Sequence, residues 1–252
     1  MKIALLQTDI VWATPSANIR RAEDMVAQAP GADLYVLPEM WATGFATRPE
    51  GIAEEEATSA ALAWMKRTAL QHNCAISGSL AVRIEDGSYR NRHYFVTPED
   101  VVFYDKRHLF THGHEDKHYT AGNEAIIVSW QGWRLLLQTC YDLRFPVFSR
   151  YGRAGEYDAI VYVANWPEKR QLAWQTLIRA RAIENQCYVL AVNRTGDDKI
   201  CHYAGGSAVI DPIGRLVAEC SSAERPVITE ISIDKLKEMR SHFRVLEDRD
   251  NF

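Results

Sequence analysis

Short apolar runs bounded by turn residues alternate along the chain with stretches in which apolar positions recur every three or four residues. Residues 3–7 read as a buried strand. Thr14 and Pro15 open a helix whose apolar positions, Ile19, Ala22, Val26 and Ala29, follow 3,4,3 spacing until Pro30 and Gly31 stop it. Residues 34–37 form the next strand, 57–72 a second helix with Ala61, Leu62, Met65 and Ala69 on one face, and 75–82 a third strand. The pattern then turns to hairpins. Residues 92–97 oppose 101–106 around Pro98, Glu99 and Asp100, and 125–130 oppose 133–139 around Gln131 and Gly132. Further on come a strand at 159–164, a helix at 171–185 and a strand at 188–192. They are followed by a hairpin of 207–210 and 216–219, a strand at 227–233 and a helical tail at 234–239.

Roughly ten strands and roughly four helices, the helices grouped toward both ends, suit mixed sheets stacked on one another and covered by helices. A doubly wound parallel sheet would not need so many hairpins. Residues 33–39 and 158–166 echo one another, each an apolar strand ending in a polar residue, as two similar halves would.

With 252 residues, 47% hydrophobic and 25% charged, the chain has a globular composition with material for a sizeable core, and one α/β domain over residues 1–252 is expected. Lys and Arg number 29 against 33 Asp and Glu, a net charge of -4. That balance lacks the footprint for nucleic acid or an anionic membrane and favours a small neutral or anionic metabolite. No apolar run approaches a membrane span and the apolar start is too short for a signal sequence, so a soluble, cytoplasmic protein is expected. Cys74, Cys140, Cys187, Cys201 and Cys220 are odd in number, widely spaced and free of Cys-x-x-Cys pairs. This argues against a disulfide framework and a thiolate zinc site.

Three polar residues each close an apolar strand. Cys140 precedes a polar turn and a helix start, where α/β ligand crevices lie and backbone N–H groups stabilise a thiolate. Position alone leaves a small buried hydrophobe as the alternative. Glu39 comes off its strand into an apolar setting with Met40 and Trp41, suited to a general base or acid, or else reaches solvent. Lys106 snorkels or, pointed into a crevice, holds negative charge on a tetrahedral intermediate. Together the three are more specific than any one. His108, His112, His114 and His118, interleaved with Glu115 and Asp116, crowd nitrogen and oxygen ligands together. They lack a His-Glu-x-x-His signature, so solvated or hydrogen-bonding loop histidines are the better reading and no metal ligand is assigned.

Leu37-Pro38-Glu39-Met40, Tyr104-Asp105-Lys106-Arg107-His108-Leu109-Phe110 and Cys140-Tyr141-Asp142-Leu143-Arg144-Phe145-Pro146 together resemble the nitrilase, or carbon-nitrogen hydrolase, superfamily with its Glu-Lys-Cys triad. The resemblance covers essentially the whole chain, with residues 179–186, Asn193-Arg194 and Gly205-Gly206-Ser207 similar to later motifs. The Cys140 segment resembles the Nit-type amidase branch rather than true nitrilases or aliphatic amidases. The Lys106 segment, His118-Tyr119, Ala164-Asn165-Trp166-Pro167 and the ending at Phe252 resemble the bacterial omega-amidase type. Val147 departs from the pattern, since many Nit-type members carry Glu after Phe-Pro; this puts the packing of the nucleophile loop in question.

The resemblance implies an α-β-β-α sandwich that pairs through one helical face into a homodimer, and a reaction needing neither metal nor organic cofactor. It implies Glu39 as base, Cys140 as nucleophile, Lys106 and the Tyr141 backbone N–H as oxyanion donors, and Glu115 as an auxiliary glutamate orienting Lys106 or the substrate amide. The implied substrate is a small-molecule amide, the omega-amide of a 2-oxo dicarboxylic acid (2-oxoglutaramate or 2-oxosuccinamate). Alternatives are a deaminated-glutathione amidase, a carbamoylase, a short-chain aliphatic amidase, and a non-enzymatic scaffold with a relic triad. For such an omega-amide, Phe45 and Trp166 are expected to form an apolar throat and Arg170 to bind the distal carboxylate, or else to open the next helix as a solvated arginine. Asp142 and Arg144 are expected to pair beneath the site, and Arg179, Arg181 and Glu184 to serve helix packing or the interface.

Overall fold

Period-two alternation within the apolar runs sorts their side chains into separate cores. The computed structural model describes residues 1–221 and 225–250; Phe252 lies outside the described residues. The first half of the chain runs β1 (Lys2–Leu5), α1 (Pro15–Gln28), β2 (Leu34–Val36), β3 (Glu54–Glu55), α2 (Ala60–His72), β4 (Ala75–Arg83), β5 (Tyr89–Val96) and β6 (Val101–Asp105). There follow β7 (Ile127–Trp130), β8 (Trp133–Thr139), α3 (Pro146–Ser149), β9 (Ala159–Ala164), α4 (Gln171–Asn185) and β10 (Tyr188–Asn193). The chain continues through β11 (Thr195–Asp197), β12 (His202–Ala204), β13 (Ala208–Ile210), β14 (Leu216–Glu219), β15 (Val227–Glu230) and α5 (Ile233–His242).

In the first sheet β1, β2 and β4 are parallel neighbours, β15 pairs antiparallel with β1, and β5 and β6 continue antiparallel from β4. The second sheet repeats the plan: β8, β9 and β10 are parallel, with β7 antiparallel on one side and β13 and β14 on the other. The echo between residues 33–39 and 158–166 is therefore a correspondence of middle strands, β2 and β9.

Ile3, Leu5, Leu34 and Val36 meet Leu135, Leu137, Val161, Val163 and Leu190 between the sheets. The alternate residues Ala4, Leu6, Tyr35 and Leu37 pack under Met25, Val26 and Met65 of α1 and α2. Leu136, Ile160, Tyr162 and Val189 pack under Trp174, Ile178 and Ala182 of α4. Both faces of the central strands are covered, which is why they read as unbroken apolar runs. The layers are α-β-β-α, as expected.

Among the boundaries that differ from the sequence reading, two are set by helix caps. Residues 56–58 form a 3₁₀ turn and the second helix starts at Ala60, because Ser59 Oγ accepts the Leu62 N–H at 3.0 Å and caps it. The strand expected at 227–233 ends at Glu230, since Ser232 caps α5 by accepting from Lys235 N at 3.3 Å. No helix among the described residues is long and apolar enough to cross a membrane.

Strand direction sets where the polar strand ends fall. β6 is antiparallel to β5, which is antiparallel to β4, so β6 runs with β2 and delivers Lys106 to the edge that receives Glu39. Cys140 follows β8 and Asn165 follows β9 at the facing edge of the second sheet.

Candidate active site

Glu39, Lys106 and Glu115 form a fully buried group, with no side-chain exposure at any of the three. Lys106 Nζ donates to Glu39 Oε1 at 2.8 Å and to Glu115 Oε2 at 2.9 Å. Glu39 Oε2 accepts the Asn165 backbone N–H at 2.9 Å, and Glu115 Oε2 accepts the Phe110 N–H at 2.6 Å. Burial alone would strip the lysine of its proton, but the Glu115 and Glu39 carboxylates outweigh it and hold the ammonium well above its usual range. Burial pushes Glu115 up; Lys106 opposes this and Glu39 adds to it.

Cys140 opens a 3₁₀ helix, Cys140–Arg144, with φ 45°, a left-handed conformation that costs a non-glycine residue about 1–2 kcal/mol. Its neighbours hold it there. Asp142 Oδ2 accepts the Thr139 N–H at 2.9 Å and the Tyr104 hydroxyl at 2.7 Å, while Oδ1 accepts the His108 N–H at 3.0 Å and lies 2.8 Å from His108 Nδ1. From behind, Arg181 Nη2 donates to the Leu143 carbonyl at 2.7 Å. The Cys140 thiol lies 3.8 Å from the Asn165 carbonyl. Burial pushes it far above the usual thiol range, Glu39 pushes the same way and Lys106 opposes, so at rest it is a thiol that needs a base. Tyr141 follows in the first turn, where backbone N–H groups lack an intrahelical acceptor.

Above Cys140 opens a cavity of about 620 Å³, walled by Phe45, Phe110 and Trp166 and rimmed by Arg48, Arg144 and Arg170. Arg144 lies over the Trp166 ring at 4.8 Å and Arg170 over Phe110 at 5.3 Å. Asn193, the last residue of β10, clamps Trp166: its Oδ1 accepts the Trp166 N–H at 2.7 Å and its Nδ2 donates to the Trp166 carbonyl at 3.0 Å. Asp198 is the one carboxylate among the described residues lining this cavity. An apolar shaft with a thiol at its floor and guanidinium groups at its rim suits a neutral reacting end and an anionic tail.

The structure thus brings together Glu39, Lys106, Glu115, Cys140, Tyr141, Phe45, Trp166 and Arg170. The expected Asp142–Arg144 pair does not form. Residues two apart on a 3₁₀ helix face different ways, so Asp142 turns inward while Arg144 lines the cavity. Arg181 is buried and serves packing, with Glu184 at 2.9 Å, whereas Arg179 donates to the Gly214 carbonyl at 2.7 Å on the surface. Val147 is exposed in α3, so the departure there leaves the nucleophile loop's packing untouched.

The histidines do not converge. His108 stacks on Phe145 with centroids 3.9 Å apart, His118 pairs with Glu50 at 2.9 Å, and no group of three potential metal ligands occurs among the described residues. Cys74 and Cys220 are buried thiols, each pushed up to about 12, chiefly by burial, and Cys201 lies at the cavity mouth. Sequence reasoning missed Asn91, which donates to both Glu39 and Glu115, and left Asn165 without a role. Asn165 carried a signal, a polar residue closing the apolar strand Ala159–Ala164; Asn91, between Arg90 and Arg92 inside β5, carried none.

The carbon-nitrogen hydrolase family profile matches residues 2–241. Omega-amidase YafV of Escherichia coli (strain K12) is 46% identical over 255 aligned residues, covering 100% of this chain and 98% of that protein. The 2-oxoglutaramate amidase of Bacillus subtilis (strain 168) is 37% identical, covering 98% and 96%. Among solved structures, XC1258 of Xanthomonas campestris, a CN-hydrolase superfamily protein with an arsenic adduct in its active site, superposes with a TM-score of 0.95. It is 42% identical, covering 100% of this chain and 98% of that one.

Proposed function

The chain belongs to the carbon-nitrogen hydrolase family, and from that membership we propose that it is an omega-amidase, releasing ammonia from 2-oxoglutaramate or 2-oxosuccinamate through a thioester on Cys140. The observation that carries this reading is the cavity itself: a buried Glu39–Lys106–Glu115 group beside the Cys140 thiol, below a rim of arginines. The names of the relatives at 46% and 37% identity point to the same amide class.

In the proposed reaction Glu39 takes the Cys140 proton as sulfur attacks the amide carbon. The oxyanion is held by Lys106 and the Tyr141 N–H, in a dry site where such donors count most. Glu39 returns the proton to the departing nitrogen, ammonia leaves, and the thioester remains. Glu39 then draws a proton from water as its oxygen attacks the thioester carbon, and the collapsing intermediate releases the acid and the Cys140 thiol. Glu115 keeps Lys106 cationic and in place. Phe45 and Trp166 form the throat, and Arg170 takes the distal carboxylate.

The proposal includes a homodimer through α4, whose Leu172 and Ile183 are 79% and 52% exposed along one face. It also includes the cytoplasm, a reducing compartment suited to five free cysteines. The test is ammonia release from a panel: 2-oxoglutaramate, 2-oxosuccinamate, glutamine, N-carbamoyl amino acids and butyramide. The 2-oxo omega-amides should lead in kcat/KM; a lead by a carbamoyl or plain aliphatic amide would replace this reading with another hydrolase of the family.

A further inference from the structure

Asn91 sits within β5, buried, and no step of the reaction uses it. Its amide donates both ways, from Nδ2 to Glu39 Oε1 at 2.8 Å and to Glu115 Oε1 at 2.9 Å. The neighbours decide that orientation. Ser79 Oγ accepts the Met40 backbone N–H at 2.9 Å and donates its proton to Asn91 Oδ1 at 2.9 Å, while the two carboxylates on the other side only accept, so the NH₂ faces them. The Asn91 carbonyl also accepts the Lys106 backbone N–H at 3.0 Å. One residue therefore places the lysine through its main chain and both carboxylates through its side chain.

Asn91 and Lys106 bridge the same two carboxylates and close a ring of four buried groups. We propose that Asn91 is a positioning residue that keeps Glu39 ionised and aimed as the base, a role that rests on the amidase reading above. Two carboxylates this close repel each other, and one ammonium cannot neutralise both; in a dry site the surplus charge drives one of them to take up a proton. Hydrogen bonds donated to the ionised form oppose that uptake. An apolar residue at position 91 would leave each carboxylate one donor short. A cation there would instead bind Glu39 as an ion pair and blunt it as a base.

The charged and titratable groups around the ring come from every neighbouring element: Glu39 after β2, Lys106 after β6, Glu115 from residues 115–117, and Cys140 from the second sheet. Tyr119 lies close enough to feel both carboxylates. His93, two residues along β5, is turned to Ser77 at 2.8 Å and held neutral by burial.

The test compares wild type, Asn91→Ala and Ser79→Ala in two pH profiles, kcat/KM for 2-oxoglutaramate and the rate at which iodoacetamide alkylates Cys140, the latter read by peptide mass. Each profile has an acid limb, where the base that draws the Cys140 proton is lost. Asn91→Ala should move the limbs up by about one pH unit, a tenfold loss below the limb, with KM changed less than about twofold. Ser79→Ala, which frees the amide to turn over, should move them the same way by less, and it decides the matter if Asn91→Ala does not fold. Folded variants that lose activity with both limbs unmoved would overturn the proposal and leave Asn91 purely structural, as would variants with unchanged activity. If wild type hydrolyses no omega-amide but the alkylation limb still moves, the substrate reading fails and the role of Asn91 stands.

Discussion

Arg170→Ala separates recognition of the distal carboxylate from the chemistry. Arg170 ends a 3₁₀ turn, Glu168–Arg170, just before α4; its carbonyl is pinned by Trp166 Nε1 at 2.8 Å and its guanidinium lies over Phe110. Among the described residues it makes no ion pair, so a bound carboxylate meets a guanidinium that no protein anion already occupies. A hydrogen bond between charged groups is worth about 1.5–3 kcal/mol, and at about 1.4 kcal/mol per decade KM for 2-oxoglutaramate should rise by roughly 10- to 150-fold. The stacking on Phe110 is lost for every substrate alike, so butyramide, which has no carboxylate, supplies the control and should change less than about threefold. Continuous ammonia release with both substrates gives the ratio. Equal losses on the two would refute the reasoning and make Arg170 structural. A selective loss in Arg144→Ala instead would move carboxylate binding to Arg144, which lies over Trp166.

Glu39→Gln keeps the shape and removes the proposed base, and kcat should fall at least ~10²-fold with the melting temperature close to wild type. Lys106→Ala should cost roughly 10²–10³-fold in kcat through the oxyanion donor; it also leaves two buried carboxylates without their cation, so its melting temperature should recover as pH is lowered and they take up protons. Burial holds the Cys140, Cys74 and Cys220 thiols above their ordinary value of 9.0. The unfolded chain therefore loses these protons first, so the thiols leave stability unchanged near neutral pH and lower it as pH rises beyond 9; a melting temperature flat from pH 8 to 10.5 would contradict that. Leu172→Asp with Ile183→Asp places charge on the exposed face of α4; light scattering at micromolar concentration should show the proposed dimer for wild type and monomer for the variant.

Much of the site was legible because Glu39, Lys106 and Cys140 each close an apolar strand, and strand ends are where a stacked α/β fold gathers polar groups. Residues 33–39 and 158–166 show this best: the echo is two middle strands, and their ends meet where the Asn165 N–H bonds Glu39. Asn91 was hidden for the opposite reason. It lies inside β5, and its partners are 52 and 24 residues away in sequence, so nothing local marks it. Arg144 was misassigned because charge proximity in sequence says nothing about direction on a 3₁₀ turn. The short strands β3, β11 and β12 carry too little apolar pattern to read, and they form through pairing with distant or hairpin partners.

The central claim is that Cys140 is the nucleophile of an omega-amidase. Ammonia release from 2-oxoglutaramate by wild type and by Cys140→Ala, side by side at equal concentrations of folded protein, tests it most directly. Wild type should turn over and Cys140→Ala should release nothing above the uncatalysed background. Substantial turnover by Cys140→Ala would contradict the thioester mechanism.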